Sequence, residues 1–272
     1  MRISRFTATA VAAATATSLI IAAPQAQAYE TTYDADAKQC TITFTDTDKE
    51  RVNNAYSTLF ARLGEQVRDS FEGDEAKQQA KIVWEFGQRE DVKEASEHRP
   101  IKEPEVSAAQ LKLALGSQKD KYWRMIGFIN ASKKEVISAQ TITVSQKEAY
   151  DQGPLYGVDL ESAAGGTIGG ILFGGSVGDV REQIVNLAKE YAPEFAGPIL
   201  SYGKALSTCA DGKSGSGTVM AGSSMTTGQV MGLGIAGVVL GLLALFGLGV
   251  AARPLIDDVL AAVSYTHLRA HE

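Results

Sequence analysis

Apolar and polar residues recur along this chain with two periods, and one long stretch has no charged residue. From Gln229 to Ala252 it reads QVMGLGIAGVVLGLLALFGLGVAA. About two dozen residues at about 1.5 Å each span a hydrocarbon core of roughly 30 Å, so this stretch reads as a transmembrane helix. Period two marks Cys40-Thr41-Ile42-Thr43-Phe44-Thr45 and Thr141-Ile142-Thr143-Val144 as half-buried strands. Their shared Thr-Ile-Thr is open to three readings: a strand pair, a decayed repeat, or coincidence. Tyr29 to Lys38 reads as polar and loose.

Elsewhere the spacing of three and four dominates. Thr47-Asp48-Lys49-Glu50 has the form of a capping box, and the stripe Val52, Tyr56, Leu59, Leu63, Val67, Phe71 follows it to Gly73. A second helix is expected over Asp74 to Phe86, with Ile82, Val83 and Phe86 inward and Trp84 near the edge. The charged segment Gln88 to Glu105, holding Pro100 and Pro104, reads as a solvated connection. Ser107 is placed to cap a short helix through Leu111 and Leu115, and Ser117 to cap Lys119 to Asn130, apolar on most sides. Ser132 with Glu135 and Ser145 with Glu148 read as two further capping boxes. Asp179 would cap a helix carrying Val180, Ile184, Leu187 and Tyr191. Pro193 is expected to break that helix, and Pro198 to open a last one reaching Cys209.

The two ends have other origins. Residues 1–28 have Arg2 and Arg5, an apolar run, and Ala26-Gln27-Ala28 as a cleavage site, the three parts of a secretory signal. The ten residues from Val263 to Glu272 match a translated frame of a transposase adapter used in sequencing libraries, which leaves His267 and His271 without a role and the gene truncated. The expected organisation is therefore a signal peptide at 1–28 and a mainly helical exported domain at 29–210 with one or two short strands. A Gly/Ser-rich flexible tether at 211–228, the single transmembrane helix at 229–252 and the start of a cytoplasmic tail at 253–262 would follow. Export of the N-terminus places the domain outside the cell membrane; Arg253 beyond the helix agrees weakly with the positive-inside tendency.

Composition and charge then narrow the chemistry. Hydrophobic residues make up 44% and charged residues 21%, the balance of a folded protein. A net charge of -6 argues against a dedicated nucleic-acid binder, which needs a basic face. The two cysteines, Cys40 and Cys209, read as a disulfide in an oxidising compartment, closing a loop worth about 4 to 5 kcal/mol in the chain-entropy model. No histidine lies near them to complete a metal site, and neither a metal nor a cofactor is expected. His98, in the charged connection, reads as exposed. Asn130-Ala131-Ser132 has the pattern of a glycosylation sequon, to which no glycan is assigned.

Ala163 to Gly178 reads AAGGTIGGILFGGSVG, with Gly166, Gly170, Gly174 and Gly178 four apart. This spacing lets helices approach closely in lipid, and Gly237 and Gly241 repeat it in the apolar stretch, so helix-helix association is expected at these glycines. The segment is short for a span and reads as packed core, loop, or a contact with the membrane or a partner. Gly174-Gly175-Ser176-Val177-Gly178 fits the nucleophile elbow G-x-S-x-G, but no histidine follows Ser176 on the exported side to activate it. Gly212-Lys213-Ser214 resembles the end of a phosphate loop, with Ser207 where the leading glycine belongs.

In layout alone the chain resembles uncharacterised envelope proteins of actinobacteria, with a cleaved signal, an Ala/Gly-rich helical ectodomain and a C-terminal anchor. No motif accompanies the likeness, so it implies no functional residue. The expectation is a non-enzymatic, membrane-anchored envelope protein that binds a partner protein, a lipid or a wall polymer. The alternatives are an envelope enzyme, such as a wall hydrolase using two carboxylates, and a subunit of a membrane assembly.

Overall fold

A computed structural model describes residues 29–95, 103–158 and 177–219. The leader, His98, Gly166, Gly170, Gly174, Ser176, Gly237, Gly241, the apolar stretch 229–252, and His267 and His271 lie outside those residues. Among the described residues no helix is long and apolar enough to cross a membrane.

The described chain is mainly helical, with a small antiparallel sheet. Strands β1 (Tyr29–Asp34) and β2 (Gln39–Phe44) lead into α1 (Asp46–Asp69) and α2 (Asp74–Gln88). Then come α3 (Pro104–Leu115), α4 (Lys119–Ser132), β3 (Thr141–Ser145) and α5 (Gln146–Gln152), with a 3-10 turn at Gly153–Leu155. Helix α6 (Val177–Ala210) and β4 (Gly215–Gly217) complete it. The sheet has the order β3-β2-β1-β4, with four strands where one or two were expected.

The additional strands follow the same physics as the expected ones. Tyr29, Thr31 and Tyr33 alternate with Glu30, Thr32 and Asp34, and the first set turns inward. This corrects the reading of Tyr29 to Lys38 as loose: it is a strand and a hairpin turn, in which the Asp34 carboxylate accepts the amides of Asp36 at 2.9 Å and Ala37 at 3.0 Å. The two Thr-Ile-Thr segments pair antiparallel, with Ile42 opposite Ile142. Their threonines, with Thr32, form the exposed face, as expected for a sheet with one solvated side.

Helix α1 carries the predicted stripe as far as Val67, Phe71 follows just past its end, and all six residues are buried. Its cap differs. Thr45, not Thr47, is the N-cap and accepts the Asp48 amide at 3.2 Å, because β2 ends at Phe44 and the helix must begin at once. Helix α2 agrees closely with expectation and packs its Trp84 over Gly64 of α1. A Cβ there would lie 2.6 Å from the ring, so only glycine permits this crossing.

Three other helix starts depart from expectation. Helix α3 starts at Pro104, whose fixed φ suits the first turn, so Ser107 is internal. Helix α4 is preceded by Gln118 rather than capped by Ser117; the Gln118 amide instead bonds Glu72 in both directions at 2.9 Å. No helix opens at Ser132, which ends α4 and donates to Ile129 O, while Glu135 pairs with Lys49 at 3.2 Å. The loop that follows is held by Asn53, whose side chain takes the amides of Val136 and Ile137 and donates to Ile137 O. Ser145 with Glu148 does form the expected capping box, at the start of α5.

The largest correction concerns α6. It runs unbroken through Pro193 and Pro198 for 34 residues, with Asp179 inside it rather than at its cap. An interior proline costs about 3 kcal/mol or more. Burial of Phe195, Ala196, Ile199, Tyr202 and Leu206 offsets this, since each large side chain contributes about 1.5–3 kcal/mol. Helix α1 is central and packs on α4, where Phe60 lies 6.3 Å from Phe128, and on α6, where Tyr56 lies 6.2 Å from Tyr202, ring to ring. Strands β1 and β2 rest on α6, with Phe44 against Tyr202.

Candidate functional site

The structure brings together one pair nominated from the sequence. Cys40 in β2 and Cys209 at the end of α6 form a disulfide, with Cα atoms 5.8 Å apart and both residues fully buried. Strand alternation points Cys40 inward, and the packing of α6 against β1 and β2 brings Cys209 to it. Among the described residues there is no free cysteine and no group of three or more His, Cys, Asp or Glu placed to hold a metal.

Beyond Cys209, residues 211–219 of the expected tether are part of the fold. Gly212 has φ +67 and donates to Cys209 O at 2.9 Å, while Lys213 donates to Thr208 O at 3.0 Å, the two bonds of a Schellman motif. Gly212-Lys213-Ser214 is thus the end of a helix rather than of a phosphate loop. Ser214 accepts the Tyr33 amide at 2.9 Å, and Gly215–Gly217 then pairs with Thr31 to Tyr29 as β4. Val219 is buried in the core. The folded domain therefore reaches at least Val219, past the expected boundary at 210. Of the helix-contact glycines, Gly178 falls in the first turns of α6.

Three tyrosine hydroxyls hold the turn after α5. Tyr56 donates to Pro154 O, Tyr202 to Tyr156 O at 2.9 Å, and Tyr156 to Thr143 O at 3.2 Å. Burial raises all three phenol pKa values, most strongly those of Tyr56 and Tyr202. Lys133 donates to Arg89 O at 2.7 Å and Val92 O at 2.6 Å, and desolvation lowers its pKa. These polar contacts, with those of Asn53, went unseen in the sequence because their partners are backbone atoms, which leave no residue pattern. Asn130 of the sequon is engaged likewise, accepting the Ala95 amide at 2.6 Å.

Two open grooves mark the described surface. One, of about 560 Å³, lies between the last turn of α1 and α2 and is lined by Arg68, Asp69, Lys77, Lys81, Trp84 and Glu85. It does contain two carboxylates. Asp69 is held by Arg68 at 2.7 Å and Glu85 by Lys81 at 3.7 Å, with both acids more than 60% exposed. A general acid in glycoside hydrolysis sits shielded from water and cations, which is not the setting of either group. Trp84, 8% exposed, is also too covered to stack on a sugar. The second groove, of about 400 Å³, is lined by Ala37, Lys38, Ser145, Gln146, Lys147, Tyr150 and Ala210 and has no carboxylate on its wall. Its Gln146 is occupied, bonding Tyr33 Oη and Ala210 O.

Comparison with known proteins finds no family model, no curated protein and no solved structure that matches this chain.

Proposed function

We propose that the chain is a non-enzymatic cell-envelope protein whose folded domain lies outside the cell membrane, held there by the apolar stretch Gln229 to Ala252. The domain's task in this reading is binding, of a partner protein, a lipid or a wall polymer. The observation that carries the reading is the buried disulfide. Such bridges form and persist in oxidising compartments and are rare in the cytosol. The open, ion-paired grooves favour a contact surface over a reaction site.

The test uses the full chain in a host that exports it. Protease added to intact cells should remove the domain, the chain should sediment with membranes, and its electrophoretic mobility should change on reduction. A protease-protected domain, or cysteines alkylated without prior reduction, overturns the reading.

A further inference from the structure

We infer that β4 is a releasable latch for which the Cys40–Cys209 disulfide is the stop. β4 is the weakest element of the sheet, three residues long and made of Gly215, Ser216 and Gly217, a composition poor in strand propensity. Nothing in it packs by its own side chain. Its fit comes instead from small size: a Cβ on Gly217 would fall 2.4 Å from Tyr29 Oη, and one on Gly215 3.3 Å from Thr208. β4 pairs with no strand but β1, over Tyr29 to Thr31, at the edge of the sheet, and lies against the end of α6. Opening it therefore disturbs no other strand pair.

What lies upstream is of the opposite character. Within a few residues the chain passes from β4 through Ser214 and the positive-φ Gly212 to Cys209, which is bonded covalently to β2. Peeling begins with withdrawal of the Val219 side chain from the core, then meets the helix cap, and then a bond that unpairing cannot break. Release is confined to the segment after Cys209, and α6 keeps its place. The position of the disulfide, at the last turn of α6 rather than in its middle, is what gives this limit.

The consequence for the tether rests on the anchoring proposed above; the latch itself does not. With β4 docked, nine residues, 220–228, separate the domain from the apolar stretch, a reach of about 30 Å at most. With β4 released back to Gly212, the reach is about 60 Å. The two states of one short strand set two upper limits on the distance between domain and membrane.

Hydrogen exchange on the full chain tests the latch whether or not the chain is anchored. Amides of Gly215 to Val219 are expected to exchange on the order of a hundredfold faster than those of Leu59 and Ile126, because local opening needs less free energy than global unfolding. Gly217→Val should abolish protection at Gly215 to Val219 and leave Leu59 and Ile126 unchanged. In a Cys40→Ser/Cys209→Ser variant the fast exchange should spread into Ala205 to Thr208. Exchange of β4 at the core rate, or loss of core protection in Gly217→Val, overturns the latch; unchanged protection of Ala205 to Thr208 in the serine variant overturns the stop.

Discussion

The two ends of the domain are held by different means. At the sheet end, contacts join residues far apart in sequence: Cys40 to Cys209, Thr31 to Gly215, and Ile42 to Ile142. At the other end, α2 and α3 pack mostly on each other and close over a satellite core of Phe86, Val92 and Val106. There Leu111 is 62% and Leu115 78% exposed, while the buried face of α3 is Val106, Ala109, Gln110 and Leu113. The stability of the sheet end thus depends on distant parts of the chain meeting, and that of the other end on neighbours.

The disulfide is the largest lever on this difference. With a separation of 169 residues, its removal in Cys40→Ala/Cys209→Ala should lower unfolding free energy by about 4–5 kcal/mol, measured by urea denaturation. Exchange rates should rise most in β1, β2 and the end of α6 and least in α2 and α3. An even rise through both ends would erase the distinction.

Matched truncations sharpen it. Phe195→Ala removes a fully buried ring from the central core and should cost about 3–5 kcal/mol. Phe86→Ala, in the three-residue cluster, should cost about 1–3 kcal/mol less, since its surroundings can collapse and Phe86 already keeps 8% of its exposure. Equal losses in thermal or urea melts would show that the satellite core is continuous with the main one.

The same contrast explains what the sequence disclosed. Local signals read well: the stripe from Val52 to Phe71, the helix at Asp74, and the Ser145-Glu148 box all depend on residues within a few turns. Cys40 and Cys209 were legible as a pair because only two cysteines exist. What escaped was decided at a distance. Pro193 and Pro198 predict a break in any isolated helix, and only burial against α1 and the sheet keeps α6 whole. β4 reads as linker, because its glycines carry no strand propensity and acquire their role from Tyr29 across the sheet. Even at the local end a solvated connection concealed Val92 and Ala95, which are buried.

Alkaline pH acts on the sheet end more than on the other. Tyr56, Tyr202, Tyr29 and Tyr156 cluster there, all with phenol pKa values raised by burial, whereas Tyr122, pushed up to about 12, stands alone near the start of α4. In the unfolded chain each phenol loses its proton near pH 10. A raised pKa in the fold means that stability is fully present below pH 10 and falls as pH climbs through the folded values. Tyr56 and Tyr202, deeply buried and held protonated, each contribute a loss of about 1.4 kcal/mol per pH unit, and the more exposed Tyr29 and Tyr156 contribute less. Denaturation curves between pH 9 and 12 should therefore steepen in their decline above roughly pH 10. Near pH 12, where Tyr122 itself titrates in the fold, Tyr56→Phe should reduce that slope by more than Tyr122→Phe does; equal reductions there would place the tyrosines in equivalent surroundings.

The smallest effect belongs to a local device set within the long-range end. Ser145 caps α5, accepting the Glu148 amide at 3.1 Å, and the Glu148 carboxylate returns to the Ser145 amide at 3.0 Å. The Ser145 hydroxyl also donates to that carboxylate at 2.6 Å, and this bond first, then the amide bond, lowers the Glu148 pKa. Ser145→Ala should cost about 1 kcal/mol. Because a depressed carboxyl pKa gives stability present above the unfolded value and lost as pH falls through the folded one, the difference between wild type and variant should shrink on acidification below about pH 4. Ser145 is also the last residue of β3, opposite Gln39. A loss well above 2 kcal/mol would mean that the cap holds β3 in register, and that even this short-range contact belongs to the sheet.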